Sequence, residues 1–560
     1  STHCISSAAS DVYKRQTLSY DYTIQKDSRY YNPLSSAGPK SGSDAQTAKG
    51  FIEYGKLISS TSLNYVRTFA RKHHLDVLAA YEIESYQTDH ASGEKSKLPS
   101  DKLTEPDNAA VLNSFKSATQ AYRMISYLSR LNYDYDDRYY IAGSYRRDGS
   151  SRLSPNNRWG NFWSVSGMWH LGNENFMKAV KPVLSDVKIR ASYGVNGNQP
   201  GSYYGYKGLY SYGENYMEAA GSYESAQPND LLTWEKNYSL NLGIDLSFIN
   251  RIFASLEYYN RDTKDLLYSL PISATTGFTS YLSNIGRLNN KGVEFELRTL
   301  NVVSNDFNWT SVFNLSHNRN KIVSLNGLLD QTIEGTWFIH KVGLPYHTFY
   351  VKEFAGVDPL TGSAQYYLNT KNEDGSYNRE LTTDAAKAES IPYKTATPKV
   401  SGGFTNILNY KWIDLTFTLT YSLGGYSFDK LGTYIENGSS SIYSSRYNLP
   451  AYMMNRWQKP GDQTDIPRFV YGEPATSTNS SRYIHSTDHL RLKNFTLGFT
   501  LPNQWTQKLM IDKVRVYFSG NNLLTWAKWK QYDPETPVNG EVFCEAPAMR
   551  TFSFGAQLSF

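Results

Sequence analysis

Three features of the 560-residue chain predict an all-β fold, a transmembrane antiparallel β-barrel of about 16 strands with long extracellular loops. Hydrophobic residues recur with period 2 along the chain, the strand-like runs are long, and their connections alternate between short and long. The last residues display the pattern. Phe552, Phe554, Ala556, Leu558 and Phe560 fall on one side of a strand, and Thr551, Ser553, Gly555, Gln557 and Ser559 on the other. In a barrel of the outer membrane the first set meets lipid and the second the lumen. The closing aromatic, Phe560, reads as the barrel-assembly signal.

Composition narrows the class. Mean hydropathy is −0.54, and no run is apolar for long enough to cross a bilayer as a helix. Barrel strands escape that criterion because alternation averages out as polar. Aromatic residues make up 15% of the chain and 46 residues are Tyr, a side chain suited to boundaries that are dry on one side and wet on the other. The net charge of +5 is spread along the chain without a Lys/Arg block, which argues against a nucleic-acid partner. Two cysteines, Cys4 and Cys544, argue against a disulfide framework, and neither has a metal-ligand neighbour.

The strands follow in order. In Val187–Val195 the apolar set alternates with Lys188, Arg190, Ser192 and Gly194. In Tyr238–Phe248 the even positions are apolar or aromatic and Ser239, Asn241, Gly243, Asp245 and Ser247 oppose them. Val293, Phe295 and Leu297 oppose Glu294, Glu296 and Arg298, and Ile413–Tyr421 alternates against Asp414, Thr416, Thr418 and Thr420. Val514, Val516 and Phe518 repeat the pattern near the end. Most segments run about 10–15 residues, beyond the ~5–6 usual in soluble sheets and enough for the ~9–11 that a tilted membrane strand needs. Arg71–His74, Tyr133–Asp137, Phe248–Arg251 and Asn409–Trp412 read as tight turns. Asp27–Lys56, Asp89–Thr119, Asn196–Leu232, Asp262–Gly286, Lys321–Lys399, Gly424–Thr487 and Thr525–Pro547 read as long outer loops. Counting back from Phe560, every long stretch falls on one side, provided the strand-like piece His347–Phe354 is a hairpin inside a loop.

The start is unusual. Residues 1–16 (STHCISSAASDVYKRQ) contain no apolar core of a signal peptide, and 6–16 resembles adaptor sequence translated during read assembly. The expected native chain is therefore 17–560, a partial barrel that begins inside a strand.

Several stretches resemble one family. They are YRRDGSSRLSPNNRWG (145–160), LSDVKIRASYGVNGNQ (184–199), LTWEKNYSLNLGIDL (232–246), NIGRLNNKGVEFEL (284–297), AGVDPLTG (355–362), LRLKNFTLGFTLP (490–502) and VRVYFSGNNLL (514–524), followed by the Phe-ended strand. Together they resemble the C-terminal barrel of a SusC/RagA-type TonB-dependent outer-membrane transporter. The resemblance implies a barrel of about 22 strands filled by a plug, so the first strands, the plug, the TonB-contacting box and an N-terminal extension lie outside this sequence. It also implies active import of oligosaccharides or peptides in the bacterial outer membrane. The partners would be a SusD-like surface lipoprotein, the TonB complex acting through the missing N-terminal part, and membrane lipid.

Candidate ligand contacts are the loop aromatics Tyr203, Tyr204 and Tyr206 in one long loop and Trp337 and Phe338 in another. Their faces suit stacking on sugars or peptide side chains; packing of the loops against each other explains any single ring equally well. Tyr145–Trp159 reads as a polar loop whose Arg146, Arg147, Asp148 and Arg152 either grip an anion or, the preferred reading, pair among themselves, with Asp148-Gly149 as a tight turn. Trp159, Trp163 and Trp169 read as interface-belt residues. Glu294 and Glu296 share a strand side, which suits a lumen wall as well as the paired acids of a glycosidase. His73 and His74 would point apart, and Asp358-Pro359 with Thr361-Gly362 reads as a turn. No P-loop, GxSxG or HExxH is present, so no catalytic residue, metal site or cofactor is expected. The alternative reading is a secreted all-β carbohydrate-binding or adhesin protein, which would bury its apolar strand faces.

Overall fold

The computed structural model describes residues 3–7, 10–32, 45–100, 102–217, 219–325, 331–334, 337–436, 449–470, 479–506, 511–535 and 540–559. Among the described residues, seventeen strands belong to the main antiparallel sheet. One is the five-residue His3–Ser7, and the others are labelled here in chain order. They are β1 (Ser10–Tyr31), β2 (Gln46–Phe69), β3 (His73–Ser96), β4 (Val111–Tyr135), β5 (Tyr139–Ser150), β6 (Trp159–His170), β7 (Leu184–Asn198) and β8 (Glu235–Phe248). There follow β9 (Ile252–Lys264), β10 (Arg287–Val303), β11 (Phe307–Ser324), β12 (Val400–Tyr410), β13 (Ile413–Leu423), β14 (His489–Thr500), β15 (Lys513–Ala527) and β16 (Thr551–Ser559).

Contacts divide the chain into two compact units. The first comprises Ser1–His170, Arg190–Leu240 and Thr263–Gly286, and the second Leu171–Ile189, Asn241–Asp262 and Arg287–Phe560. In the first, β1 to β6 pair in sequence as an antiparallel meander. In the second, β10, β11, β12, β13, β14, β15 and β16 do the same.

Register joins like with like. Across the second unit Trp309, Leu408, Leu415, Leu497, Phe518 and Phe554 form one row, while Thr310, Ile407, Thr416, Thr496, Ser519 and Ser553 form a neighbouring row on the opposite face. Because side chains alternate with period 2, matching rows give the sheet one apolar and one polar face. The apolar face is not a dry interior: Leu18 is 71% exposed, Leu242 44% and Phe554 83%. A secreted sandwich would have buried these residues; a membrane wall turns them to hydrocarbon.

The tight turns have a backbone reason. Ala70-Arg71, Asp136-Asp137 and Ile249-Asn250 all have positive φ, the pair of left-handed residues of a type I′ hairpin, whose twist matches that of the strands it joins. At this end of the first unit His73, Tyr135, Tyr139 and Trp169 stack in a row, with successive centroids 4.9, 6.5 and 6.3 Å apart, as interfacial aromatics do.

Two sequence-based expectations are corrected. The stretches Asp27–Lys56 and Asp89–Thr119 are largely strand, paired until Tyr31↔Gln46 and Ser96↔Val111, so β1 to β4 span 22, 24, 24 and 25 residues. Beyond the apolar band both faces of a hairpin meet water, so hydrophobic alternation stops while backbone pairing continues. Likewise Tyr145–Ser150 is strand, and the connection to β6 is only 151–158, which places Asp148 and Gly149 in the ladder rather than in a turn. In the first unit β1 pairs with β2 from Asp11↔Val66 to Tyr31↔Gln46.

The long connections of the second unit have their own architecture. The piece around His347–Phe354 is indeed loop structure: Thr348–Lys352 pairs with Phe338–Lys341 and Ser390–Thr395 in a small separate sheet. Tyr426–Asp429, Ile484–Ser486 and Glu541–Val542 form another. Between them lies a dry cluster of Phe338, Phe349, Val351, Phe428, Tyr483 and Ile484.

Candidate functional site

The polar face of the first unit carries charges where adjacent strands oppose one another. Lys56 of β2 meets Glu84 of β3 at 3.3 Å, and the Tyr122 hydroxyl of β4 donates to the same carboxylate. Arg146 of β5 donates to both oxygens of Asp148 (2.7 and 2.9 Å) and to Ser126 (3.0 Å), with Glu82 at 3.6 Å. Alternation therefore splits the expected quartet: Arg146 and Asp148 share the polar face, whereas Arg147, opposite Tyr127, lies on the apolar one.

Above these pairs stands a tyrosine cluster. Tyr86 and Tyr122 stack across β3 and β4 at 5.3 Å, and Tyr203 stacks on Tyr86 at 6.3 Å. The Arg152 guanidinium sits 4.0 Å from the Tyr122 ring centroid and 4.6 Å from that of Tyr203, and donates to the carbonyls of Pro200 (3.0 Å) and Gly201 (3.4 Å). Arg152 thus clamps the loop to the wall. Of the other expected contacts, the Tyr204 hydroxyl accepts the Ala121 N–H at 3.2 Å, and Tyr206 packs on the buried cluster of Leu153, Phe162, Leu232 and Trp234. Half-exposed Tyr203 and Tyr204 retain surface for a ligand.

In the second unit the Trp337 indole lies 4.5 Å over Phe428, nearly parallel, and donates to Glu541 at 2.9 Å. Phe338 stacks on Phe349 at 5.0 Å inside the dry cluster. Both rings build the loop core, and Trp337 alone retains an open edge. Phe560 lies outside the described residues.

The remaining expected features have ordinary surroundings. His73 Nδ1 bonds to the Tyr133 hydroxyl and His74 Nδ1 to Thr68, each at 2.8 Å. Among the described residues no group of three or more potential ligands is placed to hold a metal ion. Glu294 meets Ser316 at 3.5 Å, and Glu296 borders a small cleft with Asp186, Lys188 and Asp245. Asp358 closes its turn by accepting from Thr361 (2.6 Å) and the Leu360 N–H (3.0 Å).

Sequence reasoning missed two groupings. Arg491, with only 3% of its side chain exposed, holds Asp533 and Glu535, and Lys493 joins Glu535 at 2.8 Å; a cleft of ≈ 890 Å³ opens beside Arg491 and Trp529. Elsewhere in these loops, Asp429 is 1% exposed. Burial raises its pKa to about 6 against the stabilising Gly432 N–H. Glu436 pairs with Arg482 at 2.8 Å. His485, stacked at 4.5 Å on Trp529, is lowered to about 4 by burial and by Arg482. The only signal for these groups was charge inside loops, which ordinarily denotes solvent exposure.

A two-faced sheet with exposed hydrophobics, paired charges opposite and folded long loops is the architecture of an outer-membrane wall. Residues 6–523 match the family described as TonB dependent receptor-like, beta-barrel. The chain belongs to this family of outer-membrane proteins, and within it to the SusC/RagA type. It is similar to TonB-dependent receptor P3 of Formosa agariphila, 31% identical over 536 residues (90% of this chain, 52% of the relative). It is equally similar to TonB-dependent receptor SusC of Bacteroides thetaiotaomicron, 31% identical over 501 residues (84% and 47%). Among solved structures, the RagAB peptide transporter superposes with a TM-score of 0.86 at 27% identity, covering 100% of this chain and 61% of that one. The chain spans about half the length of the curated relatives it matches.

Proposed function

We propose that this chain forms the barrel part of an outer-membrane active importer of oligosaccharides or peptides, working with a SusD-like surface lipoprotein and powered through TonB. The observation that carries the reading is the pairing of a lipid-facing apolar wall with a polar face whose charges are matched, as in Lys56–Glu84 and Arg146–Asp148. Matched charges leave a wet lumen without a strong field of either sign, which suits cargo of modest charge; Tyr203 and Tyr204 at the loop end offer aromatic faces to it. RagAB, whose structure is described as a peptide transporter, supports the peptide class. Glycan is the first choice because stacking on tyrosine needs no charged partner.

The test is uptake of labelled oligosaccharides and peptides by cells carrying or lacking the receptor gene, with TonB present or deleted. Receptor- and TonB-dependent accumulation of one class is expected. Equal accumulation in all strains would overturn the proposal.

A further inference from the structure

The cations of the first unit do not all have carboxylate partners. On the polar face Lys56, Arg130 and Arg146 meet Glu84, Asp76 and Asp148. On the apolar face, toward the long connections, Arg123 and Arg147 are exposed, and no carboxylate stands within ion-pair distance of either among the described residues. Their face is set by register: Arg123 opposes Ser85 and Arg147 opposes Tyr127, in the same parity as Tyr81, Ile83 and Leu131.

The surroundings are built rather than open. The Trp159 ring lies over Gly149, where a Cβ would stand 2.8 Å from it; only glycine leaves room for the indole to lie flat. Tyr127 stacks on Trp159 at 6.2 Å, and Tyr81 follows at 5.2 Å from Tyr127. The Arg147 guanidinium sits 5.0 Å from the Trp159 centroid, held near the wall by cation–π attraction. The rows of Arg123 and Arg147 are roughly 13 Å apart along the strand.

Depth follows from the aromatic rows. Trp159 and Trp169 terminate the lipid-facing side of β6, separated by roughly 33 Å of strand, which at a tilt of ~40° spans the ~25 Å apolar band. The stacked row of Tyr139 and Trp169 marks the edge at the tight turns, so the Trp159 row marks the opposite edge, with Arg147 two residues inside it and Arg123 two residues beyond it. A cation facing lipid is stable only near the headgroups, where anions meet it.

We propose that Arg123 and Arg147, with Trp159 and Tyr127 as platform, dock the phosphorylated headgroup of an outer-leaflet glycolipid. Its acyl chains descend over Leu131 and Val165. Charge complementarity selects this occupant: two arginines lacking carboxylate partners, at phosphate depth, beside rings that accommodate a sugar. Arg67 supplies a contrast. It lies on the same face near the tight turns, over the Phe69 ring at 4.5 Å, and so faces the other leaflet.

The experiment uses the whole receptor, purified in mild detergent, with lipid retention read by native mass spectrometry. The probes are lipid A, its dephosphorylated form, and phosphatidylglycerol. Lipid A is expected to be retained at least tenfold better than the other two. The Arg123→Gln/Arg147→Gln double variant removes that preference, Arg123→Lys/Arg147→Lys restores most of it, and Arg67→Gln leaves it unchanged. Equal retention of lipid A and its dephosphorylated form by the unmodified receptor, or an undiminished preference in the folded double variant, overturns the proposal. The comparison of probes on the unmodified receptor decides even if the double variant does not fold.

Discussion

Replacing Leu419 by Lys puts the assignment of the two faces to a direct test, with Thr418→Lys as its counterpart one residue away. Leu419 belongs to the apolar row Phe313, Phe404, Leu419, Leu492, whereas the Thr418 hydroxyl meets that of Thr405 on the opposite face at 3.0 Å. Leu419 lies six residues beyond Ile413, the first residue of β13, or roughly 20 Å along the strand. At a tilt of ~40° that places it roughly 15 Å into an apolar band ~25 Å thick, close to the midplane. A lysine facing lipid there costs about 2–4 kcal/mol. Thr418→Lys forfeits one hydroxyl pair, about 0.5–1.5 kcal/mol, and turns its charge toward water. The expected difference is about 2 kcal/mol, roughly a thirtyfold change in the folding equilibrium. Denaturant unfolding of the whole receptor in lipid vesicles measures it through the transition midpoints at constant slope. Equal midpoints, or a lower one for Thr418→Lys, would refute the assignment.

Three further outcomes are expected. Arg152→Ala removes two ring contacts and the carbonyl bonds to Pro200 and Gly201, so hydrogen exchange across 200–212 should accelerate by about 30-fold or more, for a loss of about 2 kcal/mol, while β3 and β4 keep their protection. Phe428→Ala opens the loop cluster beneath Trp337 at a cost of about 3–5 kcal/mol; protease should cut the loops of the embedded receptor roughly 100-fold faster or more, with the wall intact. Acid should affect Asp429→Asn and His485→Phe in opposite directions. The raised Asp429 pKa (about 6) gives stability that is complete below ~4 and declines as pH rises toward 6. The lowered His485 pKa (about 4) gives stability that is complete above ~6.5 and declines as pH falls toward 4. The two terms oppose each other in the native loops, so Asp429→Asn should make the loops more acid-sensitive and His485→Phe less. Loop proteolysis measured between pH 4 and 7 reads both slopes, and parallel slopes would contradict the reading.

The sequence by itself determined the fold class, because alternation and its polarity are local properties. Leu415 and Phe554 can be placed on one face from period 2 alone, and a tight turn such as Asp136-Asp137 is visible as a polar gap between apolar runs. Strand length in β1 to β4 was not legible. Outside lipid nothing selects apolar residues, so Asp27–Tyr31 and Asp89–Ser96 read as loop although their backbones are paired. The site was legible only in part. Tyr203 and Tyr204 stood out as clustered rings, but Tyr86, Tyr122 and Glu84 acquire their neighbours through cross-strand register and loop return, which no spacing in the chain encodes. Tertiary structure alone decided that Trp337 and Phe338 support a loop core, that Arg146 and Arg147 serve opposite faces, and that Asp429 is buried. Those outcomes depend on which distant segments meet, and burial, charge pairing and shifted protonation are properties of the meeting rather than of the residue.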